Sequence, residues 1–593
     1  MALLNVAAEL RSRGRRVLIV DFDLEAPGLD TFPMKLDRPV TRGLVEMISE
    51  YLGSSCDSTP PIKDFLYEAK LDGLDDSPVW LLPAGRQDDS YDSRFRDIDW
   101  QDFYENQGGF LFFEDLKLQW KEAVSPDYVL VDSRTGHTDI GGICTRQLPD
   151  CVAVVFYPNE QNLRGLVPVV EDIRSEEAGP LKKKIDIQFV MANVPDLDDE
   201  ESILARACAN FSATLKYQDL AATIHHINSF SMLTQRLLIL DRPNSKIAGE
   251  YKQLASAIAR RNLEDRDGAI SVLDQGLVDL RTDSDSGAIG QLEKKLELIA
   301  GFHSHDVEVM RRMARIRRMQ RRNDEALELF EHVLELNDND GDSLVGKAEL
   351  LLVSGDRAGA TQDLEAFFSL GNVSSFSFAL ATRLLMLDDR QRVPRLLTSP
   401  AISSLPLSTV SDVLQELQRS HETCNVAASF IQIWAGSNPD ALTKDQISAE
   451  VSMCLIGAGN FEEAKKQISG MQDSTDLRSR FNYAMAEWGA SGQLPRKLFE
   501  QTVFPKIAEA LGDTEINHLQ CFSLAYWVIQ DRNRALQILD EAGTRFASAP
   551  RSVFSCWSYL YRSPRDFRHD LDRMRAVFTE GKGEPEYIAH IRN

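Results

Sequence analysis

Residues 15–30 read RRVLIVDFDLEAPGLD, and the fold turns on how this stretch is interpreted. Val17, Leu18, Ile19, Val20 and Phe22 make a near-continuous apolar run around Asp21. A short run of this kind, rich in β-branched residues, predicts a strand buried on both faces, as in a parallel α/β sheet. It closes on two carboxylates, Asp21 and Asp23, before the chain breaks at Pro27 and Gly28. Ligands of open α/β sheets bind beyond the carboxyl ends of the strands. Acids there handle a metal ion, a water or a sugar hydroxyl. On this stretch alone, a pair of solvated strand-end acids fits equally well.

Residues 127–142, DYVLVDSRTGHTDIGG, repeat the pattern. Tyr128 to Val131 predict a second buried strand, Asp132 stands at its end, and a polar loop with glycines follows. A hydrophobic strand closing on a lone Asp is the Walker B arrangement, whose carboxylate holds Mg²⁺ directly or through water. Further strands are predicted at residues 79–83, 151–157, 185–191 and 224–228, with helices at 42–52, 112–123 and 163–174. This alternation predicts an α/β doubly wound parallel sheet over residues 1–245. Its strand ends at Asp21, Asp132, Pro158 and Asn193 should gather along one edge. Ahead of the first strand, Leu3, Val6, Ala7 and Leu10 share one helix face and Gly14 stops the helix. Residues 87–109, rich in Asp, Arg and aromatics, read as an insertion over the site.

From about residue 245 helical periodicity replaces the strand signal. Ala314, Ala326, Phe330 and Asp338 recur 34 positions on as Ala348, Ala360, Leu364 and Asn372. That register predicts tetratricopeptide (TPR)-like helix pairs, an all-α helical-repeat domain over 301–593 behind a helical connector at 246–300. A non-repetitive helical bundle is the alternative. Solenoids present extended concave surfaces, and these bind other proteins. The stretch GDSLVGK at 341–347 matches G-x-x-x-x-G-K, but Ala348 replaces the required Ser or Thr and no strand precedes it. A phosphate loop needs a strand–loop–helix context, so this one reads as part of a repeat helix.

The chain has 593 residues and a net charge of −25. Such a charge argues against non-specific nucleic-acid binding, which needs a basic footprint. Eight scattered cysteines without a C-x-x-C pair fit buried thiols in a reducing cytosol. No apolar run has the ~18 residues of a membrane span and the N-terminal segment does not read as a signal peptide, so the expectation is a cytoplasmic protein. The histidines form no ligand set: His225 and His226 on one strand would point to opposite faces.

The two acid-terminated strands together resemble the ParA/MinD class of SIMIBI-type P-loop ATPases, which carry a deviant Walker A motif. Within that class they look most like the bacterial branch whose loop is written KGGVGR. The branch continues with MAL-x-NVA, VD-x-DLEAPGL, LPAGR, DSRTG-x-TDIGG and PNEQ-x-LRG, which appear here at residues 1–7, 20–29, 82–86, 132–142 and 158–165. The resemblance spans about residues 1–260. It implies ATP and Mg²⁺ as cofactors and a possible homodimer that sandwiches nucleotide. It also implies that Asp132 secures Mg²⁺ through its water shell and that Asp23, near the metal, orients or activates the attacking water. Asn193 matches the position that reads the adenine edge, although a plain turn Asn fits as well. Pro158, Glu160 and Arg164 match a loop framing the base or the dimer interface, and Asp21 reads as structural.

In relatives the first helix directly follows the phosphate loop, so the chain opens where that loop has just ended. The expectation is a start lying upstream of Met1, with loss of the loop as the alternative. The chain as it stands should then bind ATP·Mg²⁺ poorly. Two functions follow: an ATP-dependent switch reporting to a protein partner through the helical repeats, in a regulatory, signalling or defence setting, or a degenerate ATPase fold serving as a protein-interaction scaffold. Partition on DNA or a membrane is a third, disfavoured by the negative charge and by the want of a clear amphipathic anchor.

Overall fold

The computed structural model describes all residues except 30, 31, 33, 55, 57, 72, 75–77, 134–141, 178–182, 196–199, 227–235, 283–285, 470–475, 510–514 and 593. Two compact units emerge, Met1–Ser304 and His305–Asn593.

The first unit is a mixed α/β structure. Helix α1 (Ala2–Ser12) leads into β1 (Val17–Phe22), followed by β2 (Met34–Leu36), α2 (Leu44–Gly53), β3 (Tyr67–Leu71) and β4 (Val79–Leu82). Helices α3 (Tyr91–Arg96), α4 (Trp100–Glu105) and α5 (Gly109–Ala123) precede β5 (Tyr128–Ser133). Then come β6 (Cys151–Phe156), α6 (Glu160–Ser175), β7 (Asp186–Val194), α7 (Glu200–Leu215), β8 (Ala222–His225), α8 (Lys246–Ala259), α9 (Arg266–Arg281) and α10 (Ser286–Phe302).

The strands do not form the single doubly wound sheet that the sequence predicts. Among the described residues they form a five-stranded sheet, β2-β3-β4-β1-β5, and a separate three-stranded one, β6-β7-β8. Strand β1 lies parallel to β4 and β5, whereas β2 and β3 add an antiparallel margin. In β3 the inward Tyr67, Ala69 and Leu71 alternate with Glu68 and Lys70. This period of two marks a half-solvated antiparallel strand, unlike the continuous apolar runs of the parallel ones. The second sheet is wholly parallel.

One helical layer serves both sheets. Val17 and Ile19 of β1 pack with Leu4 and Leu10 of α1 and Leu254 of α8, in a core that also takes Val190 of β7 and Ile224 of β8. On the other face Leu18, Val20 and Phe22 pack with Leu44, Ile48, Phe112 and Phe113. Every β1 side chain is therefore buried, as a central parallel strand requires. The packing of this unit continues past residue 245: Tyr251 and Ala255 of α8 belong to the same core. Beyond it, Arg15 holds Asp265 at 2.7 and 2.8 Å, and the Tyr128 hydroxyl donates to Asp265 at 2.7 Å.

The second unit is mostly helical. It opens with α11 (Val307–Met319), α12 (Asn323–Leu336), α13 (Gly341–Ser354), α14 (Arg357–Ser369) and α15 (Ser375–Asp388). The starts of α11 and α13, and of α12 and α14, lie 34 residues apart, matching the spacing read from the sequence. The small and aromatic positions of that register, Ala314, Ala326, Phe330, Ala348, Ala360 and Leu364, are all buried. Residues 341–347 open helix α13, and Lys347 reaches Glu331 at 3.6 Å and Asp363 at 3.7 Å. The phosphate-loop match is therefore a repeat helix. Successive helices are also strung together by charge: Arg311 of α11 bonds Asp340, the N-cap of α13, at 2.8 Å, and Arg315 bonds Asp342 at 2.7 Å. Asp342 in turn accepts from Ser374 at 2.7 Å and Ser377 at 2.5 Å at the start of α15. One departure from a purely helical second unit is a short antiparallel hairpin, β9 (Val553–Ser555) with β10 (Leu560–Arg562).

At Gly346 the facing helices touch. A Cβ there would stand 2.5 Å from the Phe330 ring. We expect Gly346→Ala to destabilise the helical unit by about 1–3 kcal/mol through overpacking, measured by urea denaturation. Phe330→Leu in the same chain should restore part of the loss, and a neutral Gly346→Ala would contradict the packing described.

Candidate functional site

Strands β1 and β5 pair in parallel with Asp21 opposite Asp132. Neighbouring strands lie about 4.8 Å apart and side chains alternate between faces. Ile19 and Leu130, two positions earlier, both face the α1 layer, so Asp21 and Asp132 fall on that same face. Asp23 follows just past the end of β1. Because the α1–β1 connection is short, α1 runs antiparallel to β1 and its N-terminus arrives at the acid-bearing ends. The α-amino group of Met1 is close enough to Asp132 for each to shift the other's titration. A helix N-terminus carries partial positive charge and unsatisfied N–H groups, the ordinary setting for an anion.

The loop beyond β1 is held in place by local bonds. The backbone N–H of Asp23 donates to Asp21 Oδ1 at 3.3 Å, and that of Leu29 donates to Oδ2 at 3.5 Å. The Tyr91 hydroxyl of α3 donates to the Leu24 carbonyl at 2.9 Å, which ties residues 87–109 to this loop. The segment after β4 is clamped to the start of α2: Leu44 N–H donates to Pro83 O at 2.9 Å and Val45 N–H to Ala84 O at 2.8 Å. The sequence-predicted DSRTG loop falls at 134–141 beyond its first two residues, outside the described residues.

Electrostatics single out Asp21. It is 3% exposed, and burial, then repulsion from Asp132, raise its pKa from 3.8 to about 7 against the two backbone hydrogen bonds. Burial also raises Asp132, with the Met1 amine opposing and Asp23 adding to the effect. Asp23 Oδ1 is buried without a hydrogen-bond partner among the described residues, a condition that costs about 1–3 kcal/mol unless something satisfies it. No three His, Cys, Asp or Glu side chains among the described residues form a ready metal cage. A hard cation that keeps most of its waters and takes one or two carboxylates, as Mg²⁺ does, suits Asp23 and Asp132 better than a fully protein-ligated ion.

The remaining candidates lie on the second sheet. Pro158 follows β6, and Asn159 caps α6 by accepting from the Asn162 N–H at 2.8 Å. Glu160 is exposed and pairs with Arg164 at 2.6 Å. Asn193 sits at an irregularity of the β7–β8 ladder, with a left-handed φ of 58°. Its side-chain oxygen lies 2.6 Å from His226 Nδ1, and His225 Nδ1 lies 2.6 Å from Glu250. The two adjacent histidines thus serve different partners, and their pairing with Asn193 and Glu250 was not legible in the sequence; the His-His dipeptide at a strand end was the only signal. Asp21 and Asp132 share one sheet edge, whereas Pro158 and Asn193 end strands of the other sheet.

The pH dependence of stability follows from Asp21. Unfolded, it titrates near 3.8, and folded, near 7, so between those values the folded protein holds the extra proton. Stability then falls as pH rises through this window and levels off above it. Urea midpoints of wild type and Asp21→Asn should diverge in the variant's favour, by on the order of 1–3 kcal/mol between about pH 5 and pH 8. A difference that stays constant with pH would refute the buried-acid account.

Comparison with known proteins gives a partial likeness only. Neither family descriptions nor curated proteins match the chain. Among solved structures, apo McdA from Cyanothece is 18% identical, covering 43% of this chain and 93% of its own with a TM-score of 0.33. An ATP complex of a McdA variant from Cyanothece is 16% identical over 43% of this chain and 88% of its own, with a TM-score of 0.32.

Proposed function

We propose that the first unit is a ParA/MinD-like nucleotide switch and that the helical unit passes its state to a protein partner. The observation that carries this reading is the in-register pair Asp21 and Asp132, with Asp23 just beyond, at the N-terminal end of a helix. In this reading Asp132 and Asp23 are the residues that would hold Mg²⁺, and the ion, when bound, would supply positive charge that offsets the phosphates of ATP. Asp23 places the attacking water, its unpartnered oxygen being free to accept that hydrogen bond. Asp21, pushed toward neutrality, keeps the β1 end together by accepting from the Leu29 and Asp23 backbones without adding a full charge. Asn193 is assigned to the adenine edge and Pro158 and Glu160 to the rim around the base. The paired helices at a spacing of 34 residues support a TPR-like partner-binding surface.

The test is titration of ATP·Mg²⁺ into the 593-residue chain and into a form extended upstream of Met1 by a strand and a KGGVGR-type loop. The extended form should bind at least about tenfold more tightly, because backbone amides and a lysine of such a loop grip the phosphates. In that form Asp23→Ala should keep binding and lower hydrolysis by about 10²-fold or more. Asp132→Ala should remove the Mg²⁺ dependence of binding. If neither form binds ATP, the switch reading fails and a scaffold role replaces it.

A further inference from the structure

At the opposite end of the second sheet, where β7 begins, lies a cavity of about 550 Å³, within the range of small-molecule sites. It is bounded by α6, the start of β7 and the turn after α7. With Asn193 seven residues along β7, the cavity is about 23 Å from the candidate nucleotide edge. Four cationic side chains line it, Arg174, Lys184, Lys216 and Arg261. In a chain of net charge −25 such a concentration needs a reason.

Two of the four are committed within the protein. Arg174 donates to the carbonyls of Leu215 at 2.7 Å and Lys216 at 3.2 Å, and Arg261 pairs with Asp186 at 3.2 Å. Lys184 and Lys216 have no ion pair among the described residues. Lys216 also holds a left-handed φ of 55°, which costs a non-glycine residue about 1 kcal/mol or more. Tyr217 is stacked on Phe189, ring centroids 4.5 Å apart. Its hydroxyl is buried in the core beside Cys208, without a hydrogen-bond partner among the described residues, and does not open into the cavity. The wall thus offers two ammonium groups and an unspent guanidinium edge, with the Tyr217 ring as an apolar floor. Glu177, Gln218 and Asp219 complete the lining with acceptors.

We propose that this cavity binds a phosphate monoester of a sugar. The phosphate would lie against Lys184, Lys216 and Arg174. The sugar hydroxyls would donate to Glu177 and Asp219. An anion alone leaves those two acids facing it unbridged, so the hydroxyl-bearing part of the ligand is as much a requirement as the phosphate.

Isothermal titration of the full chain with ribose 5-phosphate, adenosine monophosphate and inorganic phosphate tests this. Saturable binding of ribose 5-phosphate, tighter than inorganic phosphate by about tenfold, is the expected result; tighter binding of adenosine monophosphate would add contacts to the base. Lys184→Ala and Lys216→Gly should each weaken binding about tenfold, the latter while easing its backbone. Lys216→Arg should retain most of the affinity. Thermal unfolding of each variant separates lost binding from lost folding. Asp23→Ala should leave binding of these probes unchanged, which keeps this site distinct from the nucleotide edge. The proposal is overturned if no probe binds below about 10 mM, if inorganic phosphate binds as well as the sugar phosphates, or if the lysine variants do not matter.

Discussion

The first unit depends on one register: β1 and β5 hydrogen-bond so that Asp21 lies opposite Asp132. Backbone pairing fixes the spacing, and side chains have no freedom to separate two carboxylates that the ladder has set side by side. Like charges in a poorly solvated place cannot all ionise at ordinary cost, so the burden falls on the most buried member, Asp21. What surrounds the pair answers that burden. Backbone amides of the following loop bond to Asp21, the positive end of α1 approaches Asp132, and Tyr91 closes over the loop from outside.

In the helical unit the equivalent constraint is shared carboxylates. Asp340 caps α13 while accepting Arg311, and Asp342 accepts both Arg315 and two serines of α15. Each acid fixes more than one helix, so removing one frees groups on two elements at once. Burial raises the Asp342 carboxyl, but the serine hydrogen bonds and the arginines outweigh it and hold its pKa below the ordinary range. The stacking of these helices is therefore set by charge as well as by the small-residue contacts at Ala314, Ala348 and Gly346.

The strands that were legible in the sequence are those whose environment is simple. A strand buried on both faces, such as residues 17–22, writes its burial as an unbroken apolar run. Strand β2 has only three residues, and β3 hides its apolar positions between Glu68 and Lys70, so neither produced a run. Periodicity also says which residues are strands and not which strands share hydrogen bonds, and so two sheets were read as one. Of the candidate site, Asp21, Asp23 and Asp132 were legible because strand-end acids interrupt apolar stretches. The cavity cations were not: Arg174, Lys184, Lys216 and Arg261 stand far apart in the chain and meet only through the packing of α6, β7 and α7. The 34-residue spacing was legible because helix pairs repeat their small residues, whereas the arginine–aspartate bonds that accompany it join positions about 30 apart with no local pattern.

The division into two sheets has a colloidal consequence. Strand β6, CVAVVF, lies at the margin of its three-stranded sheet and carries no charge, and Val155 and Tyr157 are 48% and 38% exposed. Protein margins of this kind are usually blunted by lysine, proline or a bulge, because unpaired amides and carbonyls template the strands of other molecules. The rest of the surface supplies the protection that β6 itself does not. A net charge of −25 keeps copies apart at low ionic strength, and that repulsion fades as added salt shortens its reach. Aggregation in concentrated salt should therefore begin at this uncharged margin.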